Sequence, residues 1–398
     1  MNSFKVFALA LILASLPNQS NSAKLKIIPL KKCHNPSRTA LYANSMNYIK
    51  FKQTAPANGL GSTAIIALKN FNDFAYTGLV SIGTPPQTFQ VEFDTSSSNF
   101  WIVGISCETI VCSHKKKWNP RSSSTQRTNG KKIIVSYDQG ASTGVVYTDT
   151  VAVGGIRLSS FDFGVMTQVE EKFGATPFDG VMGLGFSTIS QNNLPTFVDK
   201  LFKLKQIPQN VFSFYLADSG TTAQSAMVLG GISSVYYKGD IQWHHLTQKG
   251  LWMINLTAIK VGGDTVTSAT STKAIVDTGS SSILASPTVL NKIRQKVGQE
   301  PTISCSQINS LPQLTIEIDN QAYLLDPSDY VLKTVQFKMT TCLIGLFPLR
   351  SKGADGDYVI LGGVFLRKYY SVYDATDGRV GFALAKKVTG LNQGVLGD

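Results

Sequence analysis

Two stretches of this 398-residue chain repeat one pattern: "VEFDTSSSNF" at 91–100 and "AIVDTGSSSI" at 274–283. In each, apolar residues run up to Asp-Thr and small hydroxylated residues follow. Each is matched much later by an apolar-apolar-Gly element, "VMG" at 181–183 and "ILG" at 360–362. Asp94 and Asp277 are 183 residues apart. Such a duplication predicts two related lobes, each bringing one carboxylate to a shared cleft, where sites commonly form. A single loop of this kind would be ordinary turn chemistry, because Ser and Thr after Asp commonly satisfy local backbone groups. The matched second loop changes that reading.

The segments around these loops read as strands. "FQVEF" alternates Phe89, Val91 and Phe93 with Gln90 and Glu92, the period-two pattern of a strand with one buried face. "KIIVSY", "GVVYTDTVAV", "FSFYLA", "AMVLGG", "LTIEI", "YVILGG" and "RVGFAL" are short, β-branched or aromatic, and bounded by Gly, Ser, Asn and Asp turns. The expected fold class is all-β, with helices only at 194–206 and 286–298, each opening at a proline-containing start.

A net charge of +12 raises the question of nucleic acid, but the excess is uneven. Eight lysines and arginines and no acidic residue fall within 1–60, leaving the remainder at about +4, with no helical basic stripe or aromatic RNA motif. No nucleic-acid partner is expected. Met1 to Lys5, the apolar run Val6 to Leu16 and Ser20-Asn21-Ser22 read as a secretory signal, residues 1–22. The apolar run is too short to span a bilayer and the C-terminus carries no lipid-anchor pattern, so no membrane anchor is expected.

Secretion makes the cysteines readable as disulfides. Removal of a leader containing Cys33 leaves four: Cys107, Cys112, Cys305 and Cys342. Three pairings are possible, and those joining sequence neighbours, Cys107 with Cys112 and Cys305 with Cys342, make structural staples. Zinc at Cys112 and His114 matches no usual spacing, so no metal is expected. His244-His245 reads as an exposed strand pair, Ser-His-Asp catalysis lacks a nucleophile elbow, and the glycines of "DGVMGLGF" lack a phosphate-loop lysine. Asn255-Leu256-Thr257 is an acceptor sequon for an N-glycan.

Five blocks in order resemble the pepsin and cathepsin D type of aspartic protease: "AYTGLVSIGTPPQTFQVEFDTSSSNFW", "VSYDQGASTG", "FDGVMGLGF", "AIVDTGSS" and "YVILGGVFLRKYYSVYD". The resemblance covers nearly the whole chain. It implies a bilobal all-β fold: a basic propeptide at 23–62, an N-terminal lobe at 63–236, a C-terminal lobe at 237–390 and a tail at 391–398. It further implies peptide-bond hydrolysis by a water held between Asp94 and Asp277, with no cofactor and no covalent enzyme intermediate. Two carboxyls a few ångströms apart share one proton and titrate as a pair.

By the same resemblance Thr95 and Thr278 bond across the lobe interface, Ser97 and Ser280 donate to the outer carboxylate oxygens, and Gly279 completes the second loop. Tyr137 matches a flap tyrosine that closes over substrate, and Trp101 supports it. Glu92, Asp138, Phe178, Val181, Ile275 and Ile360 are implied in the substrate pocket. Expected partners are peptide or protein substrates in an extended cleft and the chain's own propeptide as inhibitor, with Lys50 or Lys52 facing the aspartates; a monomer is expected.

Four residues depart from the family pattern. Ser96 stands where Gly is usual, and its Cβ would crowd the loop if the turn needs a Gly-only conformation. Asp138 adds a carboxylate after the flap tyrosine. Glu92 brings a charge to a normally apolar pocket, where it would favour a basic or polar substrate residue, unless it turns to water or pairs with a nearby lysine. Gly363 stands where many acid-acting relatives carry Asp. Two readings are therefore open: an active aspartic endopeptidase, or a catalytically impaired, peptide-binding pseudoprotease of the same fold.

Overall fold

Alternation along the strand Gln87–Asp94 sorts its side chains between two environments. Val91 and Phe93 enter the main apolar core, while Glu92 takes the opposite face. Glu92 stands in register with Thr77 on one side and Val181 on the other, and Val181 in turn with Trp101, so these residues form one row across neighbouring strands. Val181 and Trp101 belong to a second, smaller core. The computed structural model describes residues 63–137, 140–267, 272–336, 339–349 and 358–387. The expected signal, the propeptide with Cys33, Lys50 and Lys52, Asp138, and the tail lie outside these residues.

The duplication read from the sequence is a duplication of topology. Gly180–Gly183 lies parallel to Gln87–Asp94 and antiparallel to Phe100–Val103, threading between them. In the second half Tyr358–Leu361 lies parallel to Lys273–Val276 and antiparallel to Ile283–Ala285 in the same way. The glycine closing each apolar-apolar-Gly element has a steric reason. A Cβ on Gly183 would come within 2.5 Å of Ser98 backbone atoms, and one on Gly362 would strike the carbonyls of Ser280 and Ser282. Both loops after the aspartates therefore press on backbone with no room for a side chain.

A shared antiparallel layer joins the halves. It runs from Ala64–Phe71 through Ser225–Leu229 and Val211–Tyr215 to Tyr369–Asp374, Arg379–Ala385 and Tyr237–Gln248. Among the described residues the strands form one 21-stranded mixed network and a separate three-stranded sheet, so both lobes hang on a common hydrogen-bonded framework. The fold is all-β and bilobal, as the sequence led us to expect.

Helices are few. The second expected helix forms as Pro287–Val297, with Ser286 accepting from Val289 N at 3.4 Å and Pro287 in the first turn. The first is shorter than expected, Phe197–Lys203. Thr196 caps it, accepting from Asp199 N, so the helix begins after Leu194-Pro195 rather than with them. No helix among the described residues is long and apolar enough to cross a membrane.

Cys107 bonds to Cys112 and Cys305 to Cys342, resolving the three possible pairings in favour of sequence neighbours. Cys112 is thereby no thiolate partner for His114. The histidine pair departs from expectation. His245 is exposed, but His244 is buried, with Nδ1 3.0 Å from Asp319 Oδ2 and Nε2 2.6 Å from the Tyr323 hydroxyl. The sheet turns His244 inward because its strand is covered there by the Tyr323 and Phe382 rings.

Candidate active site

The threaded strands bring both aspartates to the same place. The Asp94 carbonyl accepts from Leu184 N at 2.7 Å, and Asp277 N donates to the Leu361 carbonyl at 3.1 Å, so the first loop is pinned to the residue after its apolar-apolar-Gly element and the second to the middle residue of its own. The neighbouring threonines then exchange bonds across the interface. Thr95 N donates to Thr278 Oγ1 at 3.1 Å and Thr278 N donates to Thr95 Oγ1 at 3.0 Å. Each hydroxyl also donates into the opposite lobe: Thr95 Oγ1 to the Val276 carbonyl at 2.8 Å, Thr278 Oγ1 to the Phe93 carbonyl at 2.7 Å. Both threonines are buried, which makes these bonds difficult to exchange for water.

The two carboxyls are buried side by side, since a Cβ built on Gly279 would meet Asp94 Oδ1 at 2.7 Å and Asp277 Oδ1 at 3.2 Å. Burial pushes the Asp277 carboxyl well above the ordinary range, and the charge of Asp94 pushes it further; the Gly279 N–H opposes this. The donors are unequally divided. Asp94 accepts at Oδ1 from Ser96 N at 2.8 Å and Ser96 Oγ at 2.7 Å, and at Oδ2 from Ser97 Oγ at 2.5 Å. Asp277 accepts at Oδ1 from Gly279 N at 2.8 Å.

Ser280 breaks the expected symmetry. Its hydroxyl donates to the Ser282 carbonyl at 3.2 Å rather than to Asp277. The second loop offers that main-chain acceptor two residues on, and a local bond of this kind competes well for a serine hydroxyl. Ser96, conversely, fits without strain. Neither Ser96 nor Gly279 has a positive φ, so the turn needs no Gly-only conformation. A side chain there still consumes space: a Cβ on Gly279 would stand 2.7 Å from Asp94 Oδ1. The sequence reading weighs only the Cβ of Ser96; its hydroxyl as a carboxylate donor is visible only in the structure.

Tyr137 ends the strand Arg127–Tyr137, which pairs with Gly140–Val153 as a hairpin whose residues 138–139 lie outside the described set. Trp101 Nε1 donates to the Tyr137 hydroxyl at 2.6 Å. Phe173 packs edge-on against both rings, and Phe178 edge-on against Phe173. Burial, with the charge of Asp94 nearby, raises the Tyr137 hydroxyl well above its usual range, keeping it protonated. No sequence signal marks Phe173 as part of this group, since it lies in the short 3-10 helix Glu171–Ala175, too short to carry a periodicity.

Glu92 does not turn to water. It is 8% exposed, and burial followed by the charges of Asp94 and Asp277 lifts its carboxyl well above the ordinary value. Lys172 and Lys115 oppose that shift from a distance. Phe178, Val181 and Ile275 are buried and Ile360 is half-buried, Ile275 and Ile360 being register partners in the second lobe. Asn255 is exposed on the strand Met253–Val261, its side-chain amide 3.2 Å from Asp319 Oδ1.

Comparison with known proteins identifies the family. A sequence profile of the eukaryotic aspartyl protease family matches residues 75–385. Pepsin II-1 of Oryctolagus cuniculus is 36% identical over 338 residues, 83% of this chain and 86% of that protein. Cathepsin D of Homo sapiens is 35% identical over 360 residues, 85% and 87% of the two chains, and pepsin A of Canis lupus familiaris is 36% identical over 325 residues, 80% and 83%. With a profile match across most of its length and relatives of this identity, the chain belongs to the eukaryotic aspartyl protease family.

Proposed function

We propose that the protein is an aspartic endopeptidase in which Asp94 and Asp277 activate a water for attack on a peptide bond. The observation that carries this reading is the pair of buried carboxyls, held side by side by reciprocal threonine bonds and supplied with unequal donors. Three donor groups reach the Asp94 carboxyl, and burial, then the neighbouring Asp94 carboxylate, favours a proton on Asp277. Asp94 then takes a proton from water as its oxygen adds to the scissile carbonyl, while Asp277 transfers its proton to the carbonyl oxygen, giving a gem-diol. On collapse the C–N bond breaks, the amine nitrogen takes the proton from Asp94, and Asp277 recovers its own. Tyr137, hydrogen-bonded to Trp101, orders the peptide from above and excludes water.

Ser96 leaves this chemistry intact in our reading, because its backbone adopts an ordinary conformation and its hydroxyl adds a donor. The basic leader acts as signal and inhibitory propeptide, the attraction of its lysines for acidic groups weakening as carboxylates protonate. The protein is then a zymogen, secreted or delivered to an endolysosomal compartment, with an N-glycan at exposed Asn255. Incubation of the full chain with a denatured protein across pH 3 to 7, with Asp277→Ala as control, tests the activity. Acid-dependent cleavage lost in the variant supports it; equal cleavage or none by the wild type refutes it. N-terminal sequencing of the acid-treated chain tests the zymogen, with a new terminus expected near residues 60–66.

A further inference from the structure

Glu92 is a buried carboxyl that the water-activating pair does not use. The fold itself supplies the comparison that makes it unusual. Glu92 pairs with Val181 two residues before Asp94, and Ile275 pairs with Ile360 two residues before Asp277, in matching parallel registers. One lobe thus carries isoleucine where its twin carries glutamate, so the backbone accepts an apolar residue there and the carboxyl is not a structural requirement. Nor does an internal partner neutralise it: among the described residues no cation lies within ion-pair distance of Glu92. Lys172 pairs with Glu170 at 3.6 Å and covers the Tyr137 ring at 4.2 Å. Lys115 donates to the Thr176 carbonyl and hydroxyl at 2.6 and 2.9 Å.

From this geometry we infer, on the reading of the site as a protease, that Glu92 is a specificity-determining residue favouring a lysine or arginine side chain that flanks the scissile bond. A substrate lying over Asp94 and Asp277 brings its flanking side chains beside the strand face that Glu92 shares with Asp94. A cationic terminus there provides the counter-charge that the protein withholds, and an unpaired buried carboxylate gains most from one. The groups around Glu92 also make the preference depend on pH. Asp94 and Asp277 disfavour its ionisation, Lys172 and Lys115 favour it, and Tyr137 stays neutral. Below its raised titration point Glu92 is a neutral acid that admits uncharged side chains; above it the carboxylate selects a cation.

The test compares two peptides differing only in lysine against its near-isostere norleucine, placed in turn at each residue flanking the scissile bond. The ratio of kcat/KM is measured from pH 4 to 7 for the acid-activated full chain, Glu92→Gln and Glu92→Ile. The wild type is expected to favour lysine at one of these positions by on the order of tenfold, increasingly so toward pH 7. Glu92→Gln should lose both the preference and its pH dependence, and Glu92→Ile should favour norleucine. A lysine-to-norleucine ratio in Glu92→Gln equal to that of the wild type at every pH overturns the inference. If the wild type cleaves neither peptide, the protease reading fails separately. The same peptide pair is then titrated calorimetrically into Asp277→Asn with and without Glu92→Gln, where an affinity ratio unmoved by the second change overturns the selection and its loss upholds it.

Discussion

Replacing Thr278 by valine removes one hydroxyl and leaves the side chain's shape nearly unchanged. That hydroxyl accepts from Thr95 N at 3.1 Å and donates to the Phe93 carbonyl at 2.7 Å, both at the buried junction of the lobes. Its loss strands one buried N–H and weakens one carbonyl. An unsatisfied buried donor costs about 1–3 kcal/mol and a carbonyl with a second lone pair somewhat less, so the variant should lose about 2–4 kcal/mol. The twofold arrangement adds a sharper requirement. Thr95→Val strands Thr278 N and the Val276 carbonyl, the mirror set, and should cost nearly the same. Urea unfolding followed by tryptophan fluorescence measures both losses, provided the transition midpoint moves without a change in slope. Because each grip also positions one aspartate, displacement by about an ångström should lower peptide kcat/KM by about a hundredfold. Losses under about 1 kcal/mol in either variant, or a twofold disparity between them, would refute the reciprocal-bond account.

The remaining predictions concern charge, flap and crosslinks. Glu92 titrates above its ordinary value when folded, so its contribution to stability is fully present below the unfolded value and lost as pH rises through the raised one. Glu92→Gln should therefore flatten the decline in the urea midpoint from pH 4 to 8, and an unchanged slope would show the carboxyl to be already neutralised. Tyr137→Phe deprives the Trp101 Nε1–H of its acceptor, and since Trp101 is buried the orphaned donor should cost about 1–3 kcal/mol of local order. A rise in KM together with altered tryptophan emission is the expected signature; unaltered values of both would count against the contact. Breaking Cys305–Cys342, which closes 37 residues, should cost about 4 kcal/mol, against about 2 kcal/mol for the five-residue Cys107–Cys112 loop. Paired serine substitutions compared by urea unfolding check the order, which reverses if loop closure is not the source.

Much of the site could be read before any coordinate was known because its chemistry is written twice. Asp94-Thr95 and Asp277-Thr278 are local motifs, and a repeated local motif announces a shared cleft even when its halves are far apart in sequence. The strand alternation around Phe89, Val91 and Phe93 likewise announced a mainly β chain, since one buried face imposes a period of two. The pairing of neighbouring cysteines was available only as one of three choices, and the contacts of Ser280, His244 and Phe173 were not available at all. Each depends on what lies opposite. The Ser282 carbonyl captures the Ser280 hydroxyl, the Tyr323 and Phe382 rings cover His244, and the Trp101 and Tyr137 rings receive Phe173.

The sequence by itself determined the two carboxylates, their threonines, the β character and the order of the blocks, because these are set by residue type and short-range spacing. Only the tertiary structure decided how donors divide between Asp94 and Asp277, that Ser96 fits its turn, and that Glu92 stays buried without an ionic partner among the described residues. Hydrogen-bond allegiance and the cost of a buried charge depend on distance and dielectric, and those come into being only when the lobes close on one another.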